Sequence, residues 1–543
     1  MATKITALTK FAVKPSGEAQ DGKSILKKNQ ANEIFFAVVG PVGAGGSRAI
    51  ESLQRACKEA GYECEWIKAS TLIRSWAEAA GKTLPSSSAK TLETVQQYQN
   101  LGDEMRAKDP TAVARATLEE IAKRRAGHTG KPYIKGQAVP PDDTKRAYLI
   151  DSIRHPAETI LFRRTYANAF ALIGVVCEES ERRQRILGKY LTKPAQKDPE
   201  LVAIADKFIS RDADDSAVTH GQHVTDAFHG ADFFVDNSTP DDGDENQLLD
   251  EPLSRLVSIV CHDRLIRPTM DETAMHHAHS ARVRSACLSR QVGAALVDSD
   301  GTVIATGTNE VPRAGGGVYG ETNLGHNGDD HRCAFRPEAF CSSNREQNKI
   351  IDDLIDSIPA LKDAEDKASL RRVIRKTRVG QLLEFSRAVH AEMDALLSAG
   401  REGVSTVGTR LFVTTFPCHY CARHVVSAGV YEVQFIEPYP KSLALDLHKD
   451  AITVEQGDWM PPEEVSMAHE VRTKAAAKTA GKVLFKPFVG VAPRLYLRAF
   501  EKTRQLKDKE TGDMRFDPPP WGDDWAPYTA AYPELEAALT RDM

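Results

Sequence analysis

The sequence has no run of 18 or more apolar residues and therefore predicts no helix that crosses a membrane. Its first 14 residues lack the apolar core of a signal peptide, so we expect a cytoplasmic protein. It also lacks a strong excess of either charge, because 71 basic and 76 acidic residues leave a formal net charge of −5. Since proteins that bind nucleic acids usually carry a basic domain or stripe, we expect no such partner.

Cysteine is scarce, and aromatic residues make up only 7% of the chain. The nine cysteines are odd in number and spread over the whole length, which argues against a framework of disulfide bonds. In a reducing compartment, closely spaced cysteines are better interpreted as metal ligands. The chain of 543 residues is too long for one ordinary core. Its length predicts roughly two to four domains.

Apolar runs typical of buried strands alternate with helical patterns from Ile34 onward, which favours α/β domains with parallel sheets. The acidic, turn-rich stretch after residue 237 predicts a linker. Beyond it, two apolar runs flank Asp300-Gly301 and predict a β-hairpin. From Pro518 onward the sequence is typical of an extended tail. We predict a polar tail at 1–32, an α/β domain at 33–237, a linker at 238–251, a second α/β domain at 252–495 with an insertion at about 313–381, and an extension at 496–543.

The most informative pattern is His390-Ala391-Glu392 followed by Pro417-Cys418-His419-Tyr420-Cys421. One imidazole and two thiolates give three ligands to a tetrahedral zinc ion, and the fourth position stays open for water. Zinc lowers the pKa of such a water toward neutrality, which makes it a nucleophile. A carboxylate that is not a ligand must then carry protons, and Glu392 is placed for this role. The pattern predicts a catalytic zinc site.

The local context separates this interpretation from two alternatives. Leu411–Phe416 is a candidate strand, and Cys418 and Cys421 lie one turn apart on the helix that would follow it. A zinc ribbon needs a second Cys-x-x-Cys, which the sequence lacks, and a redox dithiol has no use for His390 or Glu392. The complete H-x-E…P-C-x-x-C pattern is the signature of zinc-dependent base and nucleoside deaminases.

Residues from about 265 to 495 resemble the cytidine and deoxycytidylate deaminase family. Besides the zinc signature, the similar stretches are Arg284–Ala294 (RSACLSRQVGA) and Gly307–Pro312 (GTNEVP), which match the family's first-strand entry and second-strand exit. The resemblance implies an α/β/α sandwich in which the two zinc-bearing helices lie side by side. It also implies His390, Cys418 and Cys421 as ligands of one catalytic Zn²⁺, and Glu392 as the proton shuttle.

Three further assignments remain open between a functional and a structural role. The resemblance implies that Asn309 contacts the sugar, although a turn residue after a strand would look the same. Arg284 and Arg290 could bind substrate phosphates through two-pronged guanidinium contacts, or form structural ion pairs. A second metal could be bound in the insertion, where buried thiols acting as small apolar groups are the alternative. Its candidate ligands are His331, Cys333 and Cys341.

The N-terminal half carries the frame G-x-x-x-x-G-x-S between a strand and a helix, at Gly40, Gly45, Gly46 and Ser47. Backbone amides and a helix N-terminus in this arrangement cradle phosphate. Gly46 replaces the usual lysine, which argues against phosphoryl transfer but leaves binding of ATP or another nucleotide as a hypothesis. Asp151, at the end of an apolar run, is where a magnesium-linked aspartate would lie. The alternative is a glycine-rich turn with no ligand. We predict a degenerate P-loop domain of the nucleotide-kinase type.

The combination of this domain with a deaminase resembles the bacterial anti-phage dCTP deaminases over residues 34 to 495. Further similar stretches are Gln99–Arg106, Asp151–Glu158 and Gly221–Val224. The resemblance implies zinc-dependent hydrolysis of dCTP to dUTP and ammonia, extending to dCMP, and depletion of the dCTP pool in antiviral defence. It leaves open a homo-oligomer and an activating signal derived from the phage.

Three alternatives compete with this interpretation. The first is a housekeeping dCMP deaminase of pyrimidine salvage with a fused regulatory domain. The second, a deaminase of polynucleotides, would need a basic groove with stacking aromatic side chains. The third is a nucleotide-binding regulatory protein whose zinc site is structural. A purely structural zinc site has no use for the carboxylate of Glu392, so replacing that residue discriminates against the third alternative.

Overall fold

The computed structural model describes residues 31–85, 91–191, 198–213, 223–238, 246–261, 263–322, 324–325, 327–382, 385–439, 442–457, 459–462, 479–502, 506–514 and 532–542. Within these ranges the chain is a mixed α/β structure with two six-stranded sheets, in which parallel pairs predominate. No helix of the described ranges is both long and apolar enough to span a membrane. Nearly all of the polar tail lies outside these ranges, as do Gly221, Gln222 and Pro518–Trp521.

The strands divide between the two sheets at the predicted linker, with one exception at the end of the chain. The first sheet has the order β12-β5-β4-β1-β3-β2, and the second has the order β10-β11-β9-β8-β6-β7. The strands are β1 (Glu33–Val39), β2 (Glu63–Lys68), β3 (Arg146–Asp151), β4 (Phe170–Val176), β5 (Phe233–Asp236), β6 (Gly293–Val297), β7 (Val303–Thr308), β8 (Arg410–Thr415), β9 (Glu432–Glu437), β10 (Ile452–Thr453), β11 (Val483–Pro487) and β12 (Gly490–Val491).

Helices cover both sheets. Within the described ranges they are α1 (Gly46–Glu59), α2 (Ala69–Ala79), α3 (Leu92–Arg106), α4 (Ala112–Thr129), α5 (Pro156–Tyr166), α6 (Glu179–Tyr190), α7 (Pro199–Ala213), α8 (Val224–His229), α9 (Asn246–Cys261), α10 (Met270–Arg282), α11 (Ser342–Ser357), α12 (Pro359–Lys362), α13 (Lys367–Arg375), α14 (Ala391–Arg401), α15 (His419–Ser427), α16 (Ala444–Leu447), α17 (Pro493–Phe500) and α18 (Tyr532–Thr540). The insertion therefore folds in part, since it contains α11, α12 and α13.

The predicted hairpin is confirmed, because β6 and β7 pair antiparallel through a tight turn. Asp298 accepts hydrogen bonds from the amides of Asp300 and Thr302, and Gly301 adopts a φ of 87° that favours glycine. The remaining pairs of the second sheet include β6 with β8, antiparallel, and β8 with β9, parallel. The second sheet is therefore mixed, with antiparallel and parallel pairs.

Alternation of side chains along β6 and β8 places helices on both faces of the second sheet. Ala294 and Leu296 of β6 pack in the core beneath α14 and α15, together with Val413 of β8. Ala295 and Phe412 point to the opposite face and pack with α10. The second sheet is therefore a sandwich with the zinc-signature helices on one face and α10 on the other.

The extension differs from the predicted extended tail. Residues 532–540 form α18, and Tyr532 in it is only 3% exposed. The helix packs against α4 and α5, and Arg125 Nη1 of α4 pairs with Glu536 Oε2 at 2.6 Å, with both side chains at most 1% exposed. Sequence periodicity alone could not reveal this contact, since its two partners are 411 residues apart.

Candidate metal centre and active site

Two helix N-termini meet at the predicted zinc site. His390 is the N-cap of α14, and Cys418 is the N-cap of α15, which also carries Cys421. Pro417 lies in the short connection between β8 and α15, and its carbonyl accepts a hydrogen bond from Ser442 Oγ at 2.8 Å. Free amides and the dipole at a helix N-terminus stabilise thiolates. The strand-to-helix connection thus presents both cysteines to the histidine from the neighbouring helix.

The three side chains have a separation that suits one metal ion. His390 Nδ1 lies 3.3 Å from Cys418 Sγ and 3.4 Å from Cys421 Sγ, and all three donor atoms lie within 4.8 Å of one another. Bond lengths typical of zinc give N···S edges of roughly 3.6 Å in a tetrahedron. The donor set therefore fits Zn²⁺, and it provides three protein ligands and leaves a fourth position for water.

The electrostatics of the cluster favour an ionised thiol. The contact with Cys421, together with the His390 ring, lowers the pKa of Cys418 to about 4, although burial opposes this shift. Burial acts to lower the pKa of His390, but the Cys418 thiolate and Glu392 raise it to about 9. A negative sulfur thus already faces a positive ring. A divalent cation can replace the proton on that ring, because metal binding requires a neutral imidazole and thiolates.

Glu392 lies beside the cluster without being one of its three ligands. It is in the first turn of α14 and is 4% exposed. Burial raises the pKa of its carboxyl group to about 7. A carboxylate that titrates near neutrality can both accept and donate a proton, which is what a general acid/base needs.

Arg290 lies at the edge of this site. Arg282 and Arg290 share one carboxylate, Glu437, at 3.7 and 3.6 Å. Glu437 also accepts a hydrogen bond from Thr415 at the end of β8, just before the zinc-signature cysteines. Burial and the nearby Cys418 raise the pKa of Tyr439 above its usual value, and Arg290 opposes this shift. Sequence reasoning missed Glu437 and Tyr439, although polar residues at the carboxyl end of a strand next to β8 were a usable signal.

Asn309 is 8% exposed, and its side chain is engaged by the backbone. Its Oδ1 accepts from the Val292 amide at 2.6 Å, and its Nδ2 donates to the Arg290 carbonyl at 2.7 Å. These two hydrogen bonds fix the loop that carries Arg290. One N–H and one lone pair of the amide remain for a sugar, so the predicted contact stays a prediction.

Arg284 lies elsewhere. It lines a cavity with Arg313, Arg401 and Asp394, away from the arginine pair on Glu437.

The candidate second metal site does not assemble. Among the described residues, only His390, Cys418 and Cys421 form a cluster of three potential ligands. His331 instead packs its ring against Tyr319, with centroids 5.5 Å apart, and the thiol of Cys341 lies 3.8 Å from Ser289 Oγ. Like Cys333, Cys341 is partly exposed and carries a free thiol.

The predicted phosphate loop joins β1 to α1. Gly46 is the first residue of α1, and Gly45, its N-cap, has a φ of 88°. A Cβ at Gly45 would lie 2.1 Å from Asn237 Nδ2, which itself donates to Ala44 O at 2.7 Å. Ser47 Oγ donates to Asp151 Oδ2 at 3.0 Å, which joins the loop to the end of β3.

Gly40 lies at the start of the loop, and its carbonyl accepts from Arg154 Nη1 at 3.1 Å. Asn237 was not singled out from the sequence, whereas Arg154 lies in the stretch Asp151–Glu158 that was noted as similar to the family, without a role of its own. Each follows a strand of the parallel sheet, at the edge where the loop lies.

Comparison with known proteins assigns the C-terminal part. Residues 268–437 match the family model of the cytidine and deoxycytidylate deaminase zinc-binding region. The deoxycytidylate deaminase of Enterobacteria phage T4 is 27% identical over 172 residues, which cover 31% of this chain and 79% of that enzyme. The deoxycytidylate deaminase of Schizosaccharomyces pombe is 29% identical over 201 residues, covering 36% of this chain and 46% of that enzyme. The dCMP deaminase of cyanophage S-TIM5, in its apo crystal structure, aligns with 16% identity over 41% of this chain and 100% of its own, with a TM-score of 0.21.

Proposed function

We propose that this chain, whose C-terminal part contains a domain of the cytidine and deoxycytidylate deaminase family, is a zinc-dependent hydrolase that converts deoxycytidine nucleotides to deoxyuridine nucleotides and ammonia. The observation that carries the proposal is the arrangement of three metal ligands beside a buried carboxyl group that is not one of them. A structural zinc site would use a fourth protein ligand and would not need Glu392. The matched deoxycytidylate deaminases support the choice of a cytosine nucleotide.

The mechanism follows from the position of Glu392. His390, Cys418 and Cys421 would hold the zinc ion, which when bound would act as a Lewis acid and lower the pKa of a water molecule. Glu392 takes a proton from the attacking water as its oxygen bonds to C4 of cytosine, and passes a proton to N3. It then takes the proton of the hydroxyl group now bonded to C4 and delivers it to the amino group, so that the C4–N bond breaks, ammonia leaves and the uracil carbonyl forms. Water and cytosine are consumed, and the carboxyl group returns to its starting state.

For the substrate we propose dCTP first and dCMP second, with depletion of the dCTP pool in antiviral defence as the biological role. Arg282 and Arg290 support a phosphate-bearing substrate, because their shared contacts with Glu437 are long and their side chains are 33% and 49% exposed. Phosphate oxygens offer these guanidinium groups shorter, two-pronged hydrogen bonds. The N-terminal half, for which we propose a degenerate P-loop domain that binds ATP or another nucleotide without transferring phosphate, supports a regulated enzyme.

The salvage alternative remains a second candidate, because the matched relatives are deoxycytidylate deaminases. The two are separated by measuring ammonia release from cytidine, dCMP, dCTP, CTP and a cytosine-containing single strand with zinc-loaded protein. A higher kcat/KM for dCTP than for dCMP supports the pool-depleting enzyme. The reverse order supports salvage. Turnover of the single strand alone would overturn both.

The role of Glu392 is tested by Glu392→Gln, which should lower kcat by about 100-fold or more because the proton shuttle is lost. Zinc content, measured by atomic absorption, should stay at one ion for each chain. Glu402→Gln is the matched control, since Glu402 is exposed at the other end of the same helix. Unchanged turnover in Glu392→Gln would contradict the mechanism, and loss of zinc would make Glu392 a ligand.

A further inference from the structure

Two cysteines outside the metal cluster lie where α1 leads into β2. Cys57 is in the last turn of α1, and Cys64 is the second residue of β2. Cys57 is completely buried in the core of the first sheet, and Cys64 is partly buried and packs against the same core. Both carry free thiols. Neither belongs to the metal cluster, so the pair needs an explanation of its own.

The turn between the helix and the strand brings the two side chains together. Gly61 has a φ of 82°, and the amide of Tyr62 donates to the carbonyl oxygen of Cys57 at 2.9 Å. In a helix end of this type, the residue after the glycine contacts the last turn of the helix. Cys64 lies two residues beyond Tyr62, and side chains two residues apart on an extended chain share a face. Cys64 therefore points back toward α1.

The contacts of the sulfur atoms agree with this placement. Cys64 Sγ lies 3.7 Å from the carbonyl oxygen of Gln54, which is one helical turn before Cys57 on α1. The thiols of Cys57 and Cys64 also form a direct side-chain hydrogen bond with each other. Two sulfur atoms in contact need little movement to reach the S–S bond length of about 2.05 Å.

The two thiols differ in their expected reactivity. The hydrogen bond with Cys57 and the nearby Lys58 lower the pKa of Cys64, although burial opposes this shift. The same hydrogen bond, together with burial, raises the pKa of Cys57 well above its usual value. Cys64 is also the more accessible of the two and lies on the edge strand of the first sheet. An accessible thiolate beside a second thiol is the arrangement found in redox-responsive cysteine pairs.

A third thiol lies close to the pair, at the end of α9. Cys261 Sγ donates to Tyr62 OH at 3.5 Å, and its charge also acts on Cys57. Burial raises the pKa of Cys261 to about 11. Because the thiolate is the nucleophile, a buried and protonated thiol reacts slowly with an oxidant. We therefore expect Cys64 to react first, and Cys57 to be its partner.

We propose that Cys57 and Cys64 are a modification site, a thiol pair that hydrogen peroxide converts to a reversible disulfide. The Cys64 thiolate attacks one oxygen of peroxide and the O–O bond breaks. The other oxygen takes up the proton that the thiol lost and leaves as water, so that Cys64 becomes a sulfenic acid. Cys57 Sγ then attacks Cys64 Sγ, the S–O bond breaks, and the hydroxyl group leaves with the Cys57 proton as a second water. A thiol reductant reverses the disulfide by exchange.

Peptide mapping of the zinc-loaded full-length protein tests the pair. Trypsin cleaves after Arg55, Lys58 and Lys68, so the two cysteines fall in separate peptides, 56–58 and 59–68. After a small excess of peroxide and alkylation of the remaining thiols, mass spectrometry should detect these peptides joined, with the loss of two hydrogen atoms. Dithiothreitol should separate them again.

Variants assign the two roles. Cys57→Ala should abolish the joined peptides and leave a sulfenic acid on Cys64, which dimedone traps. Cys64→Ala should abolish both signals. Cys333→Ala is the matched control, since it removes another partly exposed free thiol, and it should leave the joined peptides unchanged.

Two results on the unmodified sequence overturn the proposal, so it does not depend on whether a variant folds. The first is the absence of joined peptides at a peroxide concentration that already oxidises Cys333. The second is a disulfide that joins Cys57 to Cys261 in place of Cys64. Since no turnover is measured, the outcome is also independent of the deaminase assay.

Discussion

Replacing Arg125 by methionine should destabilise the protein by about 3–5 kcal/mol, because among the described residues it leaves the buried Glu536 without a counter-charge and leaves Glu33 only Arg146, whose Nη1 lies 3.5 Å from Glu33 Oε1. Arg125 Nη2 lies 2.8 Å from Glu33 Oε2, and its Nη1 lies 2.6 Å from Glu536 Oε2. All three side chains are at most 1% exposed. Tyr532 OH donates to Glu33, and Tyr166 OH donates to Glu536, both at 2.7 Å. The tyrosines cannot supply the lost positive charge.

Urea unfolding followed by circular dichroism measures the change, with Arg371→Met as the control. Arg371 pairs with Asp352 at the surface, with side chains 55% and 38% exposed, so its loss should cost less than about 1 kcal/mol. Combining Arg125→Met with Glu536→Gln should recover part of the lost stability, because the buried charge that lost its partner is then removed as well, while Glu33 keeps Arg146. An effect of Arg125→Met no larger than that of Arg371→Met would refute this reasoning.

Three further changes test the zinc site and the region around it. Cys418→Ala should lose bound zinc and lower the thermal midpoint together, since metal-binding energy is also folding energy; a metal assay and calorimetry on the same sample check this. Gly307→Ala should weaken zinc binding, because its Cβ would lie 2.1 Å from the Ala391 carbonyl at the start of α14, whereas Gly400→Ala, with open space around its Cβ, should not. Burial and neighbouring arginines lower the pKa of His229 to about 4. The unfolded chain therefore binds more protons below pH 6.5, and stability should fall from there toward pH 4, less so in His229→Gln, as chemical unfolding across that range will show.

The metal centre could be predicted from the sequence because its chemistry is local. His390 and Glu392 lie in one helical turn, and Cys418 and Cys421 in another, so helix geometry alone arranges each pair. Only the meeting of the two helices depends on tertiary structure, and the strand before Cys418 made that meeting predictable. The β6–β7 hairpin was equally local.

The rest depended on contacts between distant segments. Arg284 and Arg290 are six residues apart and carry the same charge, yet one lines the cavity behind α14 and the other pairs with Glu437. Arg284 lies beside Arg313 and Arg401, whereas Arg290 lies beside Glu437 at the end of β9. These neighbours are distant in the sequence, so residue spacing could not predict them. The docking of α18 could not be predicted for the same reason. The sequence of the helix shows an apolar face and one glutamate, Glu536, but it does not show that this glutamate pairs with Arg125, 411 residues away.

The predicted linker separates the two sheets in sequence but not in packing. Strand β12, from residues 490–491, pairs antiparallel with β5 at the edge of the first sheet. Its Val491 amide donates to Glu272 Oε1 at 2.8 Å, and the same carboxylate accepts from Arg255 of α9 and from the Thr269 amide at the start of α10. Glu272 is 1% exposed, so one buried carboxylate holds three segments together.

The apolar core continues across the same junction. Ala274 and Met275 of α10 pack in one cluster with Phe35 of the first sheet and Phe412 of the second. Near the glycine-rich loop between β1 and α1, Gln456 from beyond β10 reaches Asp236 of β5, Nε2 to Oδ2 at 3.4 Å. A ligand on the loop would therefore meet a structure already bonded to the sheet that carries the zinc helices. Packed and hydrogen-bonded groups therefore connect the N-terminal half to the sheet that carries the zinc-signature helices.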